Sequence, residues 1–201
     1  MSAADRLILL APGAGAPSAS AWMRAQKQRL EALGHVEAFD YPYMLAGRKA
    51  PDRQPVLVAA HEEALAQASK AYHAGPKVLA GKSMGGRMGC HLAVKLGDAI
   101  AALVCLGYPL VGMRGDVRDA VLLELTRPIL FVQGTRDKLC PLERLEAVRP
   151  HMRAPNELYV VEGGDHGLTV GKRELAERGE TQAAIDDAVT HAIARFLDRY
   201  A

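Results

Sequence analysis

No long apolar run, no block of like charge and no cysteine framework occurs in this 201-residue chain, and each absence removes a class of function. Every apolar stretch falls short of the ~18 residues that a membrane span requires, so no membrane partner is expected. Net charge is only +2, and neither a Lys/Arg cluster nor basic residues interleaved with aromatics points to nucleic acid. Cys90, Cys105 and Cys140 are odd in number and show no C-x-x-C spacing. Two of them fall within expected secondary structure, so they read as reduced core thiols of a cytoplasmic protein. The opening "MSAADRLILLAPG" holds an acidic residue and a short apolar run that reaches Pro12 and Gly13 at once. That marks a first strand and not a signal peptide. No internal repeat, low-complexity tract or linker divides the chain, so residues 1–201 are expected to form one domain.

What the chain does have is alternation. Short apolar runs at 6–11, 35–41, 77–81, 101–107, 128–134 and 157–163 read as strands. Several are almost continuously apolar, as expected of parallel strands covered on both faces. Helical patterns lie between them at 19–33, 55–73, 84–96 and 141–150, with a last one at 181–199. In that last helix Ile185, Val189, Ile193 and Leu197 recur every fourth residue as a buried stripe. The pattern predicts an α/β fold: a doubly wound, mostly parallel sheet of about six strands with helices on both faces. The least regular stretch, 108–127, is either a loop that covers a site or a connection with a short crossover helix.

The segment "GKSMGGR" at 81–87 admits two readings. A phosphate-binding P-loop needs a glycine five places before Gly81, where Pro76 stands, and the residues between are the strand itself. A strand has already committed the backbone N–H groups that a phosphate cradle requires. As Gly81-Lys82-Ser83-Met84-Gly85 the segment is G-x-S-x-G, a strand–turn–helix that projects a serine hydroxyl above a sheet. Gly81 and Gly85 remove side chains that would crowd each other across the turn, and Gly86 and Gly89 let the helix approach the strands. Met84 opens that helix, so its N–H can stabilise an oxyanion beside Ser83.

A serine hydroxyl needs a base, and the base needs an orienting carboxylate. His61, His73, His91, His151 and His191 fall in or at the ends of helical patterns, and His35 lies at a strand's beginning. His166 alone sits in a glycine-rich loop after a strand, "VVEGGDHGL". Asp137, in "GTRDKL" just beyond the fifth strand, is the expected acid. Its rival Asp165 adjoins the histidine, and neighbouring side chains of an extended loop diverge, so Asp165 reads as a loop stabiliser. The second oxyanion N–H is expected from Ala14, or else Gly15, in "APGAGAPS". Gly13, Gly15, Tyr41, Tyr43 and Tyr108 are expected to line the substrate pocket. "HEEAL" at 61–65 resembles a zinc motif but lacks its second histidine, so no metal site is assigned. No cofactor is expected either.

One rival uses the same first loop. Gly13-Ala14-Gly15-Ala16-Pro17-Ser18 is one residue short of a dinucleotide fingerprint, with Asp40 where a ribose-binding acid would stand. Ser18 replaces its third glycine, and the following helix is expected only near Ser20, too late to open at the phosphates.

With these motifs in order, "GKSMGGR", "GTRDKL" and "GGDHGL", the chain resembles the α/β-hydrolase superfamily near its dienelactone-hydrolase-like group. "FDYPYMLAGRKAPDR" is similar to a subgroup of compact predicted hydrolases. The resemblance implies a serine hydrolase acting on a small ester or thioester, with a minimal core, no cap domain and an open pocket. Dienelactone hydrolases use cysteine where this chain has Ser83, so that substrate is not implied. A related domain occurs in a subunit of a chromatin-modifying complex, which keeps a non-catalytic binding or scaffold role as the alternative.

Overall fold

The computed structural model describes residues 5–72, 75–112 and 115–201. His73, among the histidines weighed above, and Met113 and Arg114 of the irregular stretch lie outside the described residues.

Six strands form one sheet in the order β2-β1-β3-β4-β5-β6, and every strand pairing is parallel. They are β1 Leu7–Ala11, β2 His35–Ala38, β3 Lys77–Lys82, β4 Ala102–Leu106, β5 Ile129–Gly134 and β6 Asn156–Val161. The helices are α1 Ala21–Leu30, α2 Pro42–Leu45, α3 Gln54–Ala71, α4 Met84–Leu96, α5 Ala120–Glu124, α6 Leu142–Val148, α7 Lys172–Arg178 and α8 Gln182–Tyr200.

Strand alternation sorts the apolar residues into two layers. Leu7, Leu9, Leu79, Leu103, Cys105, Ile129 and Phe131 pack with α3 to α6 on one face. Ile8, Leu10, Val78, Ala80, Val104, Leu106, Leu130 and Val132 pack with α1 and α8 on the other. Burying each large side chain there contributes about 1.5–3 kcal/mol, which is why the central strands carry no polar face. In α8, Val189, Ile193 and Leu197 are buried and Ile185 packs at the margin, so the four-residue stripe is the docked face.

Two elements differ from the sequence expectation, and a third resolves to one of its two readings. Strand β2 stops at Ala38 because the chain leaves the sheet to bury Tyr41 and turns into α2 at Pro42. The 108–127 stretch contains the short helix α5, held by buried Val121 and Leu122. Helix α7 lacks an apolar stripe and buries no residue. It is laced instead by i,i+4 ion pairs, Arg173–Glu177 at 2.8 Å and Glu174–Arg178, and ends at left-handed Gly179.

The chain passes from β1 outward to β2 and returns on the other side of β1 to form β3. Strand order therefore reverses between β1 and β3, where Ala11, the last residue of β1, pairs with Gly81. Open α/β sheets have a crevice at the carboxyl ends of such a reversal.

Candidate active site

The crevice is built first by the turn after β3. Ser83 has φ 50° and ψ −115°, and only it and Leu168 combine a side chain with positive φ among the described residues. Such a conformation costs on the order of 1–3 kcal/mol and persists only where its surroundings impose it. The Ser83 N–H donates to the Leu106 carbonyl at 3.1 Å, and the Arg87 N–H donates to the Ser83 carbonyl at 3.1 Å. A Cβ on Gly81 would stand 2.3 Å from the Gly86 nitrogen, and one on Gly85 would stand 2.5 Å from the Ala11 carbonyl oxygen. Both positions thus exclude any side chain. Gly86 is almost as tight, 2.9 Å from the Gly81 oxygen, whereas a Cβ on Gly89 would make an ordinary 3.5 Å contact with Leu79. The expectation that Gly89 serves close approach is therefore corrected.

Two further strand ends supply the facing groups. After β5, Asp137 is 3% exposed, and its Oδ1 accepts from the Leu139 N–H at 2.9 Å. Its Oδ2 lies 2.8 Å from His166 Nδ1. After β6, the loop bearing His166 folds onto the end of β5: the Arg136 N–H donates to the Gly164 carbonyl at 2.9 Å. A Cβ on Gly134 would stand 2.1 Å from that same carbonyl oxygen, so β5 must end in glycine for the loop to sit there. His166 Nε2 lies 2.8 Å from Ser83 Oγ. An ionised carboxylate can only accept, so His166 Nδ1 is the donor, and neutral Nε2 is left to accept from the serine hydroxyl.

Asp165 does not touch the imidazole. Its Oδ1 accepts from the N–H groups of Gly167 at 2.7 Å and Thr169 at 3.0 Å, tying the loop to itself. Three of the other histidines are engaged elsewhere: His35 with Glu37, buried His61 with Tyr41, and His91 with Gln54. Asp40 accepts from the Ser18 N–H at 2.6 Å, so it braces the first loop and does not present a free carboxylate there.

Above Ser83 lies an open cleft of about 380 Å³, walled by Gly13, Gly15, Trp22, Lys82, Leu139 and His166. Gly13 is packed close, since a Cβ there would lie 3.3 Å from Lys82 Cγ, whereas one on Gly15 would meet nothing within 4 Å. The three tyrosines expected to line the cleft do not reach it. Tyr41, Tyr43 and Tyr108 are each at most 1% exposed. Tyr108 donates to the Arg118 carbonyl at 2.9 Å. Tyr43 donates to the Ala14 carbonyl at 2.9 Å, so it orients the first loop from beneath. A second depression of about 420 Å³, bordered by Arg136, Arg173 and Glu174, holds ion pairs and no nucleophile.

Lys82, Trp22 and Leu139 of this wall escaped sequence reasoning. Lys82 sat inside the motif as a spacer, and Trp22 sat in an ordinary helical pattern. The only available signal was that Trp22 is the chain's single tryptophan.

A family model described as an alpha/beta hydrolase domain matches residues 4–198, and the chain belongs to that family. The fold is similar to that of a dienelactone hydrolase from Anabaena variabilis ATCC 29413, with TM-score 0.76 and 17% identity over 98% of this chain and 87% of that one. It is also similar to an alpha-beta serine hydrolase homologue from Coxiella burnetii, with TM-score 0.72 and 18% identity over 96% and 85%. Est1E from Butyrivibrio proteoclasticus, in a structure with ferulic acid bound, gives TM-score 0.70 and 18% identity over 99% and 90%. By sequence, 68 residues are 28% identical to the uncharacterised protein YqkD of Bacillus subtilis (strain 168). That match covers 34% of this chain and only about a fifth of the relative, 22% of its length.

Proposed function

We propose that this member of the α/β-hydrolase family is a serine acyl hydrolase of the carboxylesterase type, acting on a small ester or thioester. The observation that carries the reading is the unbroken relay Asp137–His166–Ser83, with both links at 2.8 Å and the serine on a strained turn. In the first step His166 Nε2 takes the hydroxyl proton as Ser83 Oγ attacks the carbonyl carbon. Asp137 holds the ring and stabilises the imidazolium. The oxyanion is met by the N–H of Met84, which at the start of α4 has no intrahelical partner, and by that of Ala14. His166 then gives its proton to the leaving alcohol or thiol. In the second step it takes a proton from water, which attacks the acyl-serine, and gives that proton to Ser83 Oγ as the acyl–oxygen bond breaks and the acid is released.

The open cleft, with alanine, tryptophan, methionine and leucine in its wall, favours a short apolar or aromatic acyl group over a long chain. Hydrolysis of p-nitrophenyl acetate and butyrate tests the proposal. Ser83→Ala is expected to reduce turnover by about 10⁴–10⁶-fold, because members of such a unit fail together. Equal rates for the two proteins would defeat the assignment.

A further inference from the structure

Lys82 ends β3 directly before the serine and has no part in the steps above. Its Nζ donates to the carbonyl oxygen of His166. It also lies 5.3 Å from the centre of the Trp22 ring, within cation–π range. Trp22 in turn donates its indole N–H to the next carbonyl along, that of Gly167, at 2.9 Å. Two side chains from two different elements therefore hold consecutive carbonyls of the loop that carries the imidazole, and one touches the other. The ammonium is also close to the ring. A Cβ on Gly107 would stand 2.8 Å from Lys82 Nζ and 3.4 Å from His166 Nδ1.

We propose that Lys82 is a positioning residue: with Trp22 it clamps the His166 loop, and its charge favours the neutral, proton-accepting form of the imidazole. This role presupposes that His166 is the base. The ionisable groups around the ammonium are His166 and the carboxylates of Asp137 and Asp165. Burial lowers the Lys82 pKa to about 8, with the two carboxylates opposing it. Lys82 is accordingly charged near pH 6–7, where histidines ordinarily titrate. A cation several ångströms from an imidazole penalises its protonation, and the Asp137 carboxylate alone would favour it.

Steady-state kinetics on an activated ester between pH 5 and 9, for wild type, Ser83→Ala, Lys82→Met, Lys82→Arg and Trp22→Phe, tests the role. Lys82→Met is expected to lose about 10- to 100-fold in kcat, the scale of a displaced catalytic group, with a much smaller change in KM. The acid limb of its kcat/KM profile should move to higher pH by about half a unit to one unit, the effect of removing one partly screened charge. Lys82→Arg keeps the charge, so its acid limb should stay at the wild-type pH whatever its turnover. Trp22→Phe keeps a ring and loses one donor, so kcat should fall with the limb unmoved. A Lys82→Met profile superimposable on wild type would overturn the role while leaving Ser83 as nucleophile. Wild type no faster than Ser83→Ala would overturn the nucleophile and this role together. Should Lys82→Met fail to fold, Lys82→Gln retains an N–H donor without charge and carries the same expectation for the acid limb.

Discussion

Asp137 and Asp165 show how alike two acids can look in a sequence and how differently they are placed. Asp137 is sealed from solvent, with one oxygen on a backbone N–H and the other on the imidazole; Asp165 is exposed and spends one oxygen on two N–H groups of its own loop. Asp137→Asn should leave the fold intact but reverse the tautomer, putting the proton on Nε2, where the serine needs an acceptor. Turnover is expected to fall by about 10³–10⁴-fold without a matching fall in melting temperature. Asp165→Asn should cost less than about tenfold, and mainly through loop stability of about 1 kcal/mol. Parallel kinetics and thermal melts separate these outcomes. At this scale the sequence marked side chains in loops that follow strand ends, and Asp137, His166 and Ser83 lie within hydrogen-bond distance of one another in that order. It was misleading for Tyr41, Tyr43 and Tyr108. Each follows a strand end, yet each is buried with its hydroxyl satisfied by Tyr41–His61, Tyr43–Ala14 or Tyr108–Arg118 contacts. Sequence position fixes where a residue leaves the sheet; it does not fix which way the ring then turns.

The strand–turn–helix around Ser83 makes its own predictions, because its glycines differ in kind. Gly81 and Gly85 face backbone atoms at 2.3 and 2.5 Å, which cannot yield without moving β1, β3 or α4. Gly85→Ala is therefore expected to abolish folding or displace the serine, seen as loss of soluble protein or of a cooperative melt. Gly89 has room for a methyl group at 3.5 Å from Leu79 and 3.6 Å from His61, and it lies inside a helix. Gly89→Ala should stabilise the protein by up to about 1 kcal/mol through helix propensity, raising the urea midpoint with m unchanged. Elements were legible to the extent that they bury a stripe. Helix α4 is predicted over 84–96 and found as Met84–Leu96, and α8 is displaced by a single residue. Helix α7 left no trace because its stability comes from charge pairs on an exposed surface, a signal that many loops also carry.

For the whole molecule, the near-continuous apolar runs foretold a parallel sheet covered on both faces, and the six strands lie in that arrangement. The order of the strands was not legible in the same way, since periodicity says what a segment is and not what it pairs with. One buried group ties the stability of the whole fold to pH. His61 is fully buried beside Tyr41, with no partner for Nε2 among the described residues, and burial lowers its pKa to about 3. The folded state thus prefers the neutral ring, so the stability His61 contributes is present above about pH 6.5 and is lost as pH falls toward 3. Wild type should lose up to about 1.4 kcal/mol per pH unit more than His61→Leu across that window, read from urea midpoints at pH 7, 5.5 and 4.5. The sheet's larger consequence is convergence, because residues 83, 137 and 166 meet only when β3, β5 and β6 are aligned. Reaction with a fluorophosphonate, followed by intact mass and peptide mapping, tests the activation of that serine most directly. The account predicts a single adduct on Ser83 in wild type and none in His166→Ala; an unmodified wild type, or an adduct that survives loss of His166, would contradict it.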